Sequence, residues 1–116
     1  MKKLNDREQQ VAMVARFLMD EHGLTDYGLE FRLMRSTLGK HFRRSKRIKL
    51  STWFINNMPY HRMLNTILHE IAHALAPEGA GHGPDWKREA MRIGAIPKAR
   101  LSSEQFDALR LQKGSI

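Results

Sequence analysis

The sequence predicts an α+β domain: an N-terminal helix, a small three-stranded antiparallel sheet, a long central helix and further C-terminal helices. Three observations support this fold class. Apolar residues recur at helical spacing near the N-terminus and again within residues 57–77. Between these segments, short stretches alternate apolar and polar residues, as half-buried strands do. After them, glycine and proline divide the chain into short segments.

Length and composition favour one domain over residues 1–116, large enough to bury roughly two-thirds of its unfolded surface. No apolar run approaches the ~20 residues that a membrane span needs, and the first residues lack the apolar segment of a signal peptide. The chain has no cysteine, which excludes a disulfide framework and a cysteine zinc ribbon. We therefore expect a cytoplasmic monomer with no membrane partner.

The first helix is predicted from Asp6 to His22. Asn5 followed by Glu8 matches a capping box at its start, and Gly23 is placed to end it.

Three segments are predicted to form the sheet: Leu29–Leu33, Thr37–Phe42 and Arg47–Leu50. One face should be apolar and the other basic. Gly39, within the second strand, indicates a bulge or a close backbone approach. His41 lies among basic residues, so we expect it to be solvated or to face phosphate rather than to bind metal.

The charge of the chain points to a polyanionic partner. The net charge is +8, the sequence pI is about 10.3, and no acidic residue occurs between Phe31 and Leu68. Such a block is typical of a nucleic-acid interface, although a solubilising face would have the same composition. An anionic lipid surface fits less well, because the block lacks an amphipathic helical pattern. The candidate nucleic-acid contacts are Arg32, Arg35, Lys40, Arg43, Arg44, Lys46, Arg47 and Lys49.

A short helix capped by Ser51 should follow the sheet, and Asn57 is the predicted N-cap of the long helix, with Pro59 in its first turn. This helix carries His69, Glu70 and His73, an HExxH motif. Two histidines four positions apart point the same way and can bind one metal ion, with the glutamate beside the first.

A third ligand is predicted at His82. Pro77 should end the long helix, and a glycine-bearing turn can bring the chain back to the first two histidines. Catalytic zinc usually has three protein ligands and one open position, so we expect one Zn²⁺ per chain. An HExxH motif also arises by chance in helices, and Glu78, Asp85 and Glu89 remain alternative third ligands.

Two further helices are predicted. One runs from Asp85 to Ile93 and ends at Gly94, with Trp86 packing it against the HExxH helix. The other is indicated by Ser102 and Gln105.

The chain resembles the SprT-like metalloprotease family, which includes the eukaryotic Spartan proteases. The resemblance covers roughly residues 29–97 and implies a zincin-like domain. It rests on HEIAHAL (His69–Leu75), HGPDW (His82–Trp86), Met91–Gly94, Leu38–Gly39 and Arg47–Ser51.

The family implies zinc bound by His69, His73 and His82, and Glu70 as general base and acid acting on a metal-activated water. It implies endopeptidase activity, in Spartan directed at proteins crosslinked to DNA. The chain resembles a minimal form without the zinc ribbon, so DNA binding would come from the basic sheet or from a partner. This form would suit a bacterial, phage or plasmid-encoded protein in DNA–protein crosslink repair.

The HExxH motif is also found in other protein classes. The spacing after the second histidine does not match a metzincin, whereas a gluzincin would use a downstream carboxylate. A nucleic-acid-binding module with a non-catalytic zinc and a repressor-cleaving HExxH protease are the rival functions. Tyr60, His61 and Arg62 are the candidates for stabilising an oxyanion.

Overall fold

The computed structural model of the chain describes residues 3–100. In chain order, these residues form α1 (Asp6–Glu21), β1 (Gly28–Arg32), β2 (Gly39–Phe42), β3 (Arg47–Ser51), α2 (Thr52–Asn57), α3 (Tyr60–Leu75) and α4 (Pro84–Ile93). This arrangement of helices around one sheet confirms the predicted α+β class. The helix predicted around Ser102 and Gln105 lies outside the described residues.

Helix α1 begins at the predicted capping box. The Glu8 backbone N–H donates to Asn5 Oδ1 (2.8 Å), and the Asn5 backbone N–H donates to Glu8 Oε1 (2.9 Å). Val11, Ala15 and Met19 form its buried stripe. This stripe belongs to the main core, together with residues of β3 and α3.

The order of strands in the sheet is β1-β3-β2. Strand β2 pairs antiparallel with β3, but β1 pairs parallel with β3, so the prediction of a fully antiparallel sheet is wrong. The physical reason lies in β3, whose Ile48 and Leu50 are 1% and 0% exposed. Such an apolar strand is buried most completely at the centre of the sheet, so β3 lies between β1 and β2. Strand β2 is then an edge strand beside α3.

The sheet presents two chemically different faces, as predicted. Gly39 and His41 pair with Leu50 and Ile48 and lie on the face that packs against the helices, while Lys40 lies on the opposite face. A Cβ atom on Gly39 would lie 3.2 Å from both Thr66 Cγ2 and Leu50 Cδ2. The glycine therefore allows the close approach of β2 to α3 that its position in the strand indicated.

The start of α3 differs from the prediction. Ser51 caps α2 as expected, accepting a hydrogen bond from the Phe54 backbone N–H (3.3 Å). Asn57 is not the N-cap of α3, because it is the last residue of α2 and its side chain donates to the Trp53 carbonyl (2.7 Å). Pro59 takes the N-cap position without a side-chain hydrogen bond.

Helix α3 is packed on two sides. Ile67 and Ile71 join the main core with α1 and β3, whereas Ala72 packs with Trp86 and Ala90 of α4 in a second cluster. His69 and His73 lie on the side of α3 that faces away from the main core. Within residues 3–100, no helix combines the length and apolarity required to cross a membrane.

Candidate metal centre

Three histidine side chains converge beside α3. His69 and His73 lie one turn apart on this helix, and His82 approaches them from the loop before α4. Nε2 of His82 lies 3.1 Å from Nε2 of His69 and 3.1 Å from Nε2 of His73. Among residues 3–100, these three form the one histidine, cysteine or carboxylate group compact enough to hold a metal ion.

The loop between α3 and α4 returns His82 to the helix through two left-handed glycines. Gly79 has φ 83° and Gly81 has φ 55°, which side chains with a Cβ rarely adopt. Successive turn hydrogen bonds tighten the loop, from the Ala80 N–H to the Pro77 carbonyl (3.1 Å) and from the Gly83 N–H to the Ala80 carbonyl (2.9 Å).

Trp86 supports all three histidines. It is fully buried, and its Nε1–H donates to the His69 carbonyl (3.3 Å). Its ring centroid lies 4.7 Å from that of His69, 5.4 Å from that of His73 and 4.8 Å from that of His82. The expected packing of Trp86 against the HExxH helix is therefore present, and it orients His82 as well.

The donor set fits a tetrahedral divalent cation. Metal–nitrogen distances of about 2.0–2.1 Å at a tetrahedral angle correspond to nitrogens about 3.3–3.4 Å apart, close to the 3.1 Å found here. Imidazole must be neutral to bind a metal. Burial, with the neighbouring histidines, lowers the pKa of His69 to about 3 and that of His73 to about 4.

The alternative third ligands do not join this group. Asp85 Oδ1 accepts from Arg88 (2.9 Å), and Glu89 Oε1 accepts from Arg92 (2.6 Å). Glu78 is exposed in the loop.

Glu70 is the buried carboxyl group of the site. Its exposure is 7%, and burial raises its pKa to about 8. It lines two adjoining cavities of about 410 and 300 Å³, together with His69, Gly39 and Ala99. The smaller cavity contains all three metal-site histidines, and the larger extends along α3 past Arg62, one of the candidates for the oxyanion.

The sequence reasoning misplaced His41. Nε2 of His41 lies 2.8 Å from the Tyr27 hydroxyl. The His41 ring lies nearly parallel to the His73 ring, with centroids 6.3 Å apart. His41 therefore lines the cavity of the metal site rather than facing solvent or phosphate. In the predicted strand, the apolar residues Leu38 and Phe42 lie on the side opposite His41. The pattern therefore indicated that their side was buried and that His41 faced outward.

The basic residues predicted to contact nucleic acid differ in orientation and in their ion pairs. Arg43 turns inward to α3, and three others form ion pairs: Arg32 and Lys49 with Glu30 (3.6 and 3.2 Å) and Lys46 with Asp26 (2.5 Å). Lys40 and Lys49 also lie over the Phe42 ring, which is on the outer face of the sheet. Among residues 3–100, the candidates without an ion pair to a carboxylate are Arg35, Lys40, Arg43, Arg44 and Arg47.

Comparison with known proteins identifies relatives of this arrangement. No curated protein matches the chain. A solved structure, the metallopeptidase zymogen jannalysin of Methanocaldococcus jannaschii, matches with a TM-score of 0.63 at 15% identity. The match covers 89% of this chain and 92% of that one, and at this identity it establishes a shared fold. The model of the SprT-like family matches residues 8–105, most of the chain. The chain therefore belongs to the SprT-like family.

Proposed function

We propose that this protein is a zinc-dependent endopeptidase that acts on DNA-associated proteins, including proteins crosslinked to DNA. Family membership and the metal site support a metal-dependent peptidase in general. The observation that carries the proposal is the convergence of three imidazole nitrogens beside a buried glutamate at an open cleft. Three nitrogen donors suit zinc and leave one coordination position open, as catalytic zinc sites do.

The chain supplies the binding and proton-transfer parts of the reaction. When bound, zinc would provide Lewis-acid polarisation of the scissile carbonyl and activate a water molecule. Glu70 accepts the proton of the attacking water and delivers it to the leaving amine. With 7% of its surface exposed, this carboxyl group has little contact with bulk water. Trp86 holds the histidine rings in place while Glu70 transfers the proton.

Metal content and turnover test the catalytic proposal. We expect about one zinc per wild-type chain, a large loss of zinc in His82→Ala, and full zinc content in His22→Ala, a matched control at the end of α1. Glu70→Gln should retain zinc and lose hydrolysis of a casein substrate. Persistent hydrolysis in Glu70→Gln would contradict the mechanism, and zinc retained in His82→Ala would contradict the three-histidine site.

The outer face of the sheet supports association with DNA. Lys40 and Arg47 lie on this face without ion pairs among the described residues, and Phe42 lies between them. Binding through such a face should weaken steeply as salt rises, because phosphate contacts release counterions.

Fluorescence anisotropy with labelled DNA tests this part of the proposal. Lys40→Gln combined with Arg47→Gln should weaken binding and reduce its salt dependence, whereas Lys87→Gln on α4 should change neither. Binding that is insensitive to salt would refute the DNA interface. Zinc and DNA binding without any peptidase activity would instead favour a binding module with a non-catalytic metal.

A further inference from the structure

The larger cavity beside the metal centre is continuous with the proposed catalytic cleft. It shares Gly39, His69, Glu70 and Ala99 with the cavity that contains the three histidines. Its volume of about 410 Å³ is in the range of cavities that enclose small ligands or side chains. A peptide lying across the metal centre would therefore present a neighbouring side chain to this space.

The charges that line this cavity are mainly positive. Arg62 contributes from α3, and Lys98 and Arg100 contribute from the segment that follows α4. Among the lining residues that the structure describes, Glu70 is the one with a carboxyl group. Within residues 3–100, neither Lys98 nor Arg100 forms an ion pair with a carboxylate. An acidic side chain entering the cavity would meet these cations.

Two hydrogen bonds hold the start of the segment that carries Lys98 and Arg100. Asn65, a buried residue of α3, accepts the Ile96 backbone N–H at Oδ1 (3.0 Å). The Lys98 N–H then donates to the Ile96 carbonyl (2.8 Å). The segment after α4 is thus attached to α3 at the cavity, which places its two cations beside the cleft.

From these observations we infer that the larger cavity is a subsite for an acidic side chain of the peptide substrate, next to the scissile bond. This inference rests on the proposed peptidase function. The recess is concave and continuous with the space around Glu70, which favours a peptide side chain over a nucleic-acid backbone. The outer sheet face offers a broader surface for nucleic acid. Lys98 and Arg100 are the specificity-determining residues.

Peptide binding to the metal-loaded Glu70→Gln protein tests the subsite without requiring turnover. The probes are a labelled peptide with glutamate on both sides of its central bond and the same peptide with glutamine. We expect the glutamate peptide to bind about threefold to tenfold more tightly, as two partly exposed ion pairs allow. Adding Lys98→Gln and Arg100→Gln should remove the preference, whereas adding Lys87→Gln should preserve it.

Several outcomes would overturn the inference. Equal affinity for the two peptides would do so, as would a preference that survives the Lys98→Gln/Arg100→Gln substitutions with metal content intact. Loss of affinity for a labelled single-stranded oligonucleotide in that variant, with the glutamate preference retained, would assign these cations to nucleic acid instead. A peptide preference without hydrolysis by the wild-type protein would refute the proposed function alone, whereas hydrolysis without preference would refute only the subsite.

Discussion

Arg43 stabilises the end of α3 directly at His73, one of the three converging histidines. Its Nη2 donates hydrogen bonds to the carbonyl oxygens of His73 (2.9 Å) and Ala76 (2.6 Å). The last carbonyls of a helix have no intrahelical partner, and a cation there also complements the helix dipole. A side chain from the turn between β2 and β3 thus holds the helix end that carries His73 and precedes the loop to His82.

Replacing Arg43 should therefore affect both stability and metal binding. We expect Arg43→Ala to lower the free energy of unfolding by about 1.5–3 kcal/mol, the usual contribution of a hydrogen-bonded charged group, and to weaken zinc binding. Arg43→Lys should reduce stability and zinc affinity by less, because lysine keeps the positive charge although it lacks the planar guanidinium group. Chemical denaturation and zinc titration measure these effects. The exposed neighbour Arg44→Ala is the control, and equal behaviour of the two alanine variants would contradict the assignment.

Trp86→Phe should weaken the metal site while leaving the fold intact. The substitution removes the donor to the His69 carbonyl and part of the surface that contacts the three imidazole rings. We expect destabilisation by about 1–3 kcal/mol and a lower affinity for zinc, measured by competition with a chelator. Trp53→Phe provides the comparison, because Trp53 is 39% exposed. If both variants bind zinc as the wild type does, Trp86 does not orient the ligands.

Tyr27→Phe tests the pair formed with His41. Loss of the hydroxyl removes a half-buried hydrogen bond, which should cost about 0.5–1.5 kcal/mol of stability. Because His41 lines the metal-site cavity, a freed imidazole should also reduce kcat/KM while zinc content stays unchanged. Tyr60, a sequence-based candidate for the oxyanion, is exposed and lines neither of the two cavities at the histidines. Tyr60→Phe is therefore the matched substitution, and it should leave kcat/KM unchanged. Wild-type activity in Tyr27→Phe would show that the orientation of His41 does not matter for turnover.

The metal-free protein should show a pH-dependent stability that originates from Glu70. Burial raises the pKa of this carboxyl group from 4.5 to about 8. Between these values the folded state keeps a proton that the unfolded state has lost, so the Glu70 contribution to stability decreases as pH rises. The lowered pKa values of His69 and His73 act in the opposite direction below pH 6.5, but they are common to wild type and Glu70→Gln.

Comparing the two proteins therefore isolates this carboxyl group. The stability of metal-free Glu70→Gln relative to wild type should increase between pH 5 and pH 8, as measured by urea denaturation in the presence of a chelator. Zinc should suppress the difference, because a nearby dication favours the ionised carboxylate. Parallel pH profiles in the metal-free proteins would show that Glu70 is not held in a desolvated environment.

Much of the fold was accessible from local patterns. The capping box at Asn5, the Ser51 cap and the glycine end of α4 depend on residues a few positions apart, and each occurs in the structure. The α+β class followed from hydrophobic periodicity together with the positions of glycine and proline. By contrast, the N-cap of α3 was mispredicted because α2 continues two residues beyond Ile55, its last apolar residue, and so includes Asn57.

The sequence by itself determined that two histidines lie one turn apart on a helix, with a glutamate beside them and a third histidine after a glycine-bearing turn. These relationships are local, so backbone geometry dictates them. Only the tertiary structure decided the strand order, the inward orientation of His41, the contact of Arg43 with α3 and the cations beside Glu70. Each depends on contacts between distant segments, because packing around β3 selects the neighbours of a strand and the face that it buries.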